Sequence, residues 1–444
     1  MPADRSVRAA SLGLDFGTTN TVATWLGPDG AVRPLAFPES DGGNDIYRSA
    51  LNFWTDGRGG RLEHFDAAGP NAVARLVAAP EGCRFLQSFK TFAASPSFRN
   101  TIVHGRSYKF EDLLATFLRH MATDRRDGPD PLPRRLIAGR PVAFAGAAPD
   151  PALAETRYDA AFRAAGFDEV LYVHEPVAAA YYFAQGLTDA ATVLVADFGG
   201  GTSDFSIVSF RPTPSGLQAT PLGQSGIGIA GDRFDYRILD QVVAPHLGKG
   251  STYRSFGKTL AIPGHYYANF ARWNQLAVMK TPETLRELRK LVRDADDPDA
   301  LELFLEVIEE DLGFPLYRAV NMTKRALSES DTARLAFAGG GLTIDTKVAR
   351  VDFERWIADD VARIATTLDE ALASAGCGIA DIDRVFLTGG TSSVPALRDM
   401  LATRFGAAKL ERGDRFLSIA HGLALIGAIE DPTPWTVRES AIPA

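Results

Sequence analysis

The stretch "LGLDFGTTNT" at residues 12–21 decides the reading, because "VLVADFGGGTSDFSIV" at 193–208 repeats its plan. Both write an apolar run, then Asp-Phe-Gly, then small hydroxyl residues. One strand that ends in a lone Asp and a Gly-rich turn is an ordinary hairpin. Two of them ask for a common purpose. Each apolar run predicts a β-strand that delivers its acid, Asp15 or Asp197, to the C-terminal end. The turns that follow, Gly17-Thr18-Thr19-Asn20 and Gly199-Gly200-Gly201-Thr202, leave backbone N–H groups uncovered and set hydroxyls beside them. A phosphate cradle needs that composition: many short donors and no Cβ in the way. The Asp adds charge where a magnesium ion, with its retained waters, would neutralise phosphates. Two facing copies would grip a polyphosphate from both sides.

A third glycine-rich turn, "DRVFLTGGTSSVP" at 383–395, follows a strand and precedes a helix starting near Pro395. Alone it is a plain strand-to-helix turn. Beside the other two, Gly389, Gly390 and Thr391 read as backbone laid flat against the sugar or α-phosphate of a nucleotide.

The 444 residues exceed what one core usually holds, so two lobes are expected. The 47 basic and 55 acidic residues, net −8, leave no electrostatic footprint for nucleic acid. Short basic clusters such as "LPRRL" are solvated faces. Cys83 and Cys377 stand in unrelated contexts with no metal-ligand spacing, which suits a reducing compartment. The N-terminal "MPADRSVRAAS" is not a signal peptide, and the apolar tract "SIAHGLALIGAI" is too short for a bilayer. A cytoplasmic protein without membrane or nucleic-acid partners is expected.

Strand patterns at "SLGLDFG", "TVATWLG", "AVRPLAF", "RLIAGRPVAF", "TVLVADFG", "DFSIVSF" and "DRVFLTGG" alternate with helical ones, an α/β organisation. Segment 281–330 reads as nearly all helix and dense in charge. Within it, Asn321, Lys324, Arg325 and Ser328 share one helix face, and Leu316, Ala319, Val320, Thr323 and Leu327 form the core-facing stripe. The tail after Glu430, with two prolines in "DPTPWTVRESAIPA", is expected to fray.

The ordered motifs "LGLDFGTTNT", "HEPVAAA", "ADFGGGTSDFSI", "GIAGDRFDYRIL", "TKRALS" and "LTGGTSSVP" resemble the nucleotide-binding domain of the 70-kDa heat-shock chaperones. The resemblance covers most of residues 10–430, and "IPGHYYANFARWNQLAVM" and "VIEEDLGFPLYRAVNMTKRALS" resemble the YegD-type branch. It implies the actin-like, ribonuclease H-like ATPase fold: two α/β lobes around a nucleotide cleft. Lobe I would cover about 10–187 and lobe II about 188–410, with a divergent, mostly helical subdomain at about 249–330. A helix at 411–430 would return to lobe I, and 431–444 would be a flexible tail.

By the same resemblance, Asp15 and Asp197 hold magnesium through its water shell. Gly17, Thr18, Thr19 and Asn20, with the Gly199–Thr202 turn, wrap the β- and γ-phosphates of ATP or ADP. Thr202 and Asp204 lie near the γ-phosphate and the attacking water, and Glu175 is the carboxylate beside that water. Lys90, in "FLQSFKTF", matches the lysine that reaches the γ-phosphate; read by itself it is a lone surface lysine. Lys324, Arg325 and Ser328 belong to the adenosine end, where Arg325 stacks on the base, and Gly231 is a further nucleotide-binding residue. Glu175 and Pro176 also suit a plain helix start, and His174 is a packing residue.

Three positions depart from the family: Asn321 for a glutamate, Ser393 for an arginine and Phe416 for an aspartate. By the resemblance, the tail "DPTPWTVRESAIPA" is expected to lack the leucine-rich linker to a peptide-binding domain. The implied function is a slow, magnesium-dependent ATPase acting as a nucleotide-driven switch, chaperone-like, with co-chaperone or client proteins as partners. A small-molecule kinase of the same fold, or a nucleotide-binding scaffold with little turnover, stands beside it. Aromatics at 253–273 (Tyr253, Phe256, Tyr266, Tyr267, Phe270, Trp273) read chiefly as core, with a client surface as the second reading.

Overall fold

The computed structural model describes residues 11–27, 29–38, 45–58, 61–79, 82–145, 148–213, 216–271, 279–310, 312–413 and 417–437. Phe416 and Trp273 lie outside this set. The chain forms two compact units. The first takes the described residues of Met1–Ala230, Ile364–Ser392 and Asp399–Ala444; the second takes those of Gly231–Arg363 and Ser393–Arg398.

The first unit holds two sheets of the same five-strand order; in the first, a further short strand, Tyr47–Arg48, also pairs with Asn20–Leu26. One sheet contains β1 (Ser11–Phe16), β2 (Asn20–Leu26), β3 (Val32–Pro34), β4 (Arg135–Arg140) and β5 (Glu169–His174), in the order β5-β4-β1-β2-β3. The other contains β6 (Ala191–Phe198), β7 (Ser203–Thr213), β8 (Gly216–Ile227), β9 (Arg384–Thr388) and β10 (Leu410–Arg412), in the order β8-β7-β6-β9-β10. In both, the first strand starts an antiparallel meander on one side and pairs parallel on the other. These first strands are central and covered on both faces, which is why each is written as an apolar run.

Helices α1 (Phe110–Asp124), α2 (Pro151–Ala164) and α3 (Glu175–Ala184) belong to this unit. Asp150 caps α2 by accepting from the Leu153 amide, and Pro151 opens it without wasting a donor. The apolar helix Leu417–Gly427 packs on β1, β2, β4 and α3. Small residues set that contact: a Cβ on Gly422 would sit 1.8 Å from the Ala178 carbonyl oxygen. The segment after it does not fray at once. Thr433–Trp435 forms a 3-10 turn, Trp435 packs edge-on against Tyr181 at 4.7 Å, and the Val437 amide donates to the Tyr172 carbonyl.

The second unit contains α4 (Gly231–Ile238), α5 (Pro282–Asp294), α6 (Pro298–Glu309) and α7 (Gly313–Leu327), so segment 281–330 is helical as its pattern predicts. A hairpin of Thr332–Gly339 and Leu342–Ala349 alternates buried and exposed residues along its first strand. Leu316, Val320, Thr323 and Leu327 are buried, as the stripe on α7 requires. Tyr266, Tyr267 and Phe270 are core residues, whereas Phe256 is fully exposed at a hairpin tip.

Candidate functional site

Both Asp-Phe-Gly turns close by the same hydrogen bond. The Gly17 amide donates to the Asn20 carbonyl at 3.0 Å, and the Gly199 amide donates to the Thr202 carbonyl at 3.0 Å. The bond joins the ends of β1 and β2 in one sheet and of β6 and β7 in the other. The two loops also meet: a Cβ on Gly201 would lie 2.8 Å from the Thr18 hydroxyl oxygen. A side chain at Gly201 would make the Thr18 hydroxyl shift. On the first loop, Ser49 braces the turn, its hydroxyl donating to the Gly17 carbonyl and its amide to the Thr19 carbonyl. Arg48 donates to the Asn20 side chain.

The third glycine turn joins the second. Gly389 has φ +80, and a Cβ on it would lie 2.3 Å from the Phe198 carbonyl oxygen and 2.6 Å from Asp197 Oδ1. The Thr391 hydroxyl donates to the Gly199 carbonyl at 2.7 Å. Gly390 sits between them in the chain, opening a 3-10 turn at Gly390–Ser393.

Four carboxyl groups gather beside these loops. Asp197 and Asp204 are cross-strand partners in register, a pairing that like charges disfavour. In the first sheet the position facing Asp15 is Val22, so the acid pair is special to the second copy. Burial, then the charge of Glu175, raises Asp204 to about 7. Asp15 is partly open to solvent, but desolvation of its carboxyl and the Glu175 charge raise it to about 7 as well. Asp197 is pushed well above the carboxylate range by burial and by Glu175, Asp15 and Asp204. Such a cluster is costly without a cation.

Lys90 supplies one protein cation there. Its Nζ donates to Glu175 Oε1 at 2.8 Å, with side chains only 10% and 6% exposed. The surface-lysine reading therefore fails. Burial works to lower the Lys90 pKa, but Glu175, Tyr158 and Asp15 outweigh it and hold it above the ordinary value. The lysine stands on a 3-10 turn, Phe89–Phe92, whose Phe89 packs against Phe16 at 5.4 Å and so tethers it to the end of β1. Glu175 opens α3, its Cγ close against Gly139 of β4.

Asp204 is held by two donors that sequence reasoning missed, the backbone amides of Val142 at 3.0 Å and Ala143 at 3.2 Å, both on Oδ1. The only sequence signal for them was the "GRPVAF" strand end. Its Oδ2, like Asp197 Oδ1, is buried without a hydrogen bond of ordinary geometry among the described residues, although the Thr202 hydroxyl is near enough to favour the Asp204 charge. Orphaned carboxyl oxygens of this kind are what a hydrated cation satisfies. No three His, Cys, Asp or Glu side chains converge as direct metal ligands among the described residues. Thr202 and Asp204 thus stand with Asp197 at the turn between β6 and β7, while Asp15, Lys90 and Glu175 gather in the same unit.

The proposed adenosine residues lie in the second unit. Lys324 is buried, its Nζ donating to Asp235 Oδ2 at 2.8 Å and to the Gly231 carbonyl at 3.1 Å. The Asn321 amide donates to the same Asp235 oxygen at 3.1 Å. Arg325 is exposed, and the Ser328 hydroxyl turns back to the Lys324 carbonyl. The polar face read from spacing is thus split: Lys324 is sealed into an ion pair and Arg325 faces solvent.

The family model described as "Hsp70 protein" matches residues 155–251 and 314–442, half of the chain. The chain belongs to the Hsp70 family. Its two sheets and their helices are the actin-like ATPase fold of that family. Among curated proteins, it is similar to "Chaperone protein DnaK" of Thermosipho melanesiensis, 24% identical over 94% of this chain and 59% of that protein. It is 25% identical to the DnaK of Thermotoga neapolitana over the same shares. The "Stromal 70 kDa heat shock-related protein, chloroplastic" of Pisum sativum is 23% identical over 68% of this chain and 35% of that protein. The chain thus spans about three-fifths of the length of the DnaK relatives. No described helix is long and apolar enough to cross a membrane.

Proposed function

We propose that this Hsp70-family chain binds ATP with magnesium and hydrolyses it slowly, as a chaperone-type conformational switch. The observation that carries the reading is the pair of identically closed Asp-Phe-Gly turns, touching at Thr18 and Gly201 beside four carboxyl groups and one buried lysine. Chemistry of the donor set fits a hydrated magnesium ion: buried orphan oxygens on Asp197 and Asp204, and acids whose charge burial opposes. Asp15 and Asp197 would hold it through its waters. Magnesium, when bound, supplies neutralisation of the β- and γ-phosphate charge.

The chain's own residues would do the rest. Gly17, Thr18, Thr19, Asn20 and the 199–202 turn present backbone and hydroxyl donors to the phosphates. Lys90 is the cation for the γ-phosphate. Glu175 and Asp204 orient the attacking water, Asp204 being fixed through Oδ1 with Oδ2 left over. Gly231, Lys324, Arg325, Ser328, Gly389, Gly390 and Thr391 would serve the nucleoside end. The lobe boundaries, the YegD-type branch, a reducing cytosolic setting and co-chaperone or client partners belong to the same proposal; the relatives' name, chaperone, supports that class.

A scaffold with little turnover is the second reading. It is favoured by Lys324, whose ammonium is already taken by Asp235 and the Gly231 carbonyl. Equilibrium ATP binding and single-turnover hydrolysis with magnesium, comparing wild type, Asp197→Asn and Lys90→Ala, tests both. Turnover lost in the variants with binding partly kept supports the ATPase. Binding without turnover in wild type supports the scaffold, and no binding at all sinks both.

A further inference from the structure

Tyr158 is a buried residue whose function the site does not yet explain. It is 5% exposed, and its hydroxyl has no hydrogen-bond partner among the described residues. Leaving a buried hydroxyl unpaired is costly, and phenylalanine would fill the same space without that cost. The ring is well seated: it meets Phe16 at 6.4 Å, Phe110 at 5.4 Å, Phe144 at 6.5 Å and Phe162 at 5.8 Å. Phe16 follows Asp15, and Phe144 follows the two amides that hold Asp204. The ring therefore packs against the end of β1 and beside the segment whose amides hold Asp204.

The charged groups that act on this hydroxyl are Lys90, Glu175 and Arg140. Arg140 is occupied elsewhere, 3.7 Å from Glu155, one turn before Tyr158 on α2. Glu175 has Lys90 as its ion-pair partner. If Lys90 turns toward a γ-phosphate, Glu175 is left buried with its charge uncompensated, and a neighbouring donor is needed.

We infer that Tyr158 is a positioning residue whose hydroxyl takes over Glu175 when an anion draws the Lys90 ammonium away. The inference rests on the ATP reading above. The exchange keeps Glu175 fixed while Lys90 is engaged, and it gives the buried hydroxyl a partner. ADP has no γ-phosphate, so it leaves the Lys90–Glu175 pair in place.

The test compares wild type, Tyr158→Phe, Lys90→Ala and the double variant, each with magnesium and either ADP or a non-hydrolysable ATP analogue. Tyr158→Phe is expected to weaken the analogue about tenfold, the loss of one hydrogen bond to a charged group, and to leave ADP affinity unchanged. Its ligand-free melting temperature should hold or rise. In the Lys90→Ala background the same substitution should not alter the analogue-to-ADP ratio. Equal loss for both nucleotides, no loss for either, or an effect that persists without Lys90 overturns the role. A lower ligand-free melting temperature also overturns it, because the hydroxyl would then have a partner at rest. Wild type that binds neither nucleotide removes the ATP reading itself and this inference with it.

Discussion

Lys90 Nζ and Glu175 Oε1 lie 2.8 Å apart across 85 positions of sequence, and both side chains are almost wholly buried. Removing one partner of such a pair strands the other charge in protein. Lys90→Ala should therefore destabilise the ligand-free protein by about 3 kcal/mol, read by urea unfolding. Lys90→Met combined with Glu175→Gln should recover most of that loss. A double variant no more stable than Lys90→Ala would mean the pair is not the source of the cost.

Asp204 works against the fold at neutral pH. Its carboxyl titrates near about 7 in the folded chain because burial and Glu175 oppose its charge, against an unfolded value of 3.8. The sign follows: the neutral acid carries no penalty below the unfolded value, and stability is lost as pH rises through the folded one. Asp204→Asn keeps an Oδ1 acceptor for Val142 and Ala143 but no charge. It should stabilise the ligand-free protein by roughly 1–3 kcal/mol at pH about 8 and by nothing measurable near pH about 4. Equal effects at both pH values would contradict the electrostatic account.

Gly422 marks a close approach of the helix Leu417–Gly427 to α3. A methyl group there would lie 1.8 Å from the Ala178 carbonyl oxygen, and backbone cannot yield as a side-chain end can. Gly422→Ala should cost more than about 3 kcal/mol or abolish folding. Gly376→Ala is the control: φ is +63 with nothing within 4 Å, so only backbone strain applies, about 1 kcal/mol. Comparable thermal unfolding of the two variants would refute the packing argument.

In the second unit, Asp235 Oδ2 accepts from both Lys324 and Asn321. Loss of the cation should hurt more than loss of the amide. Lys324→Met is expected to cost about 3 kcal/mol and Asn321→Ala about 1 kcal/mol. Chemical denaturation that ranks them in reverse would show that Lys324 is not the main support of Asp235.

The two Asp-Phe-Gly turns and their strands were legible in the sequence. Each depends on neighbours within a few residues: an apolar run buried on both faces, an acid at its end, and glycine where the chain turns back. The Gly17–Asn20 and Gly199–Thr202 bonds are therefore local consequences of composition. So is the buried stripe of α7, which helical spacing alone assigns. Lys90 was not legible in this way, since "FLQSFKTF" suits a surface turn until Phe89 packs on Phe16 and Glu175 arrives from α3. The same holds for the Val142 and Ala143 amides on Asp204, the loop contact at Gly201, the burial of the Tyr158 hydroxyl and the capture of Lys324 by Asp235. Burial and pairing of charge are sums over groups far apart in the chain. Local pattern sets which groups are offered, and only tertiary packing decides which of them meet out of reach of water.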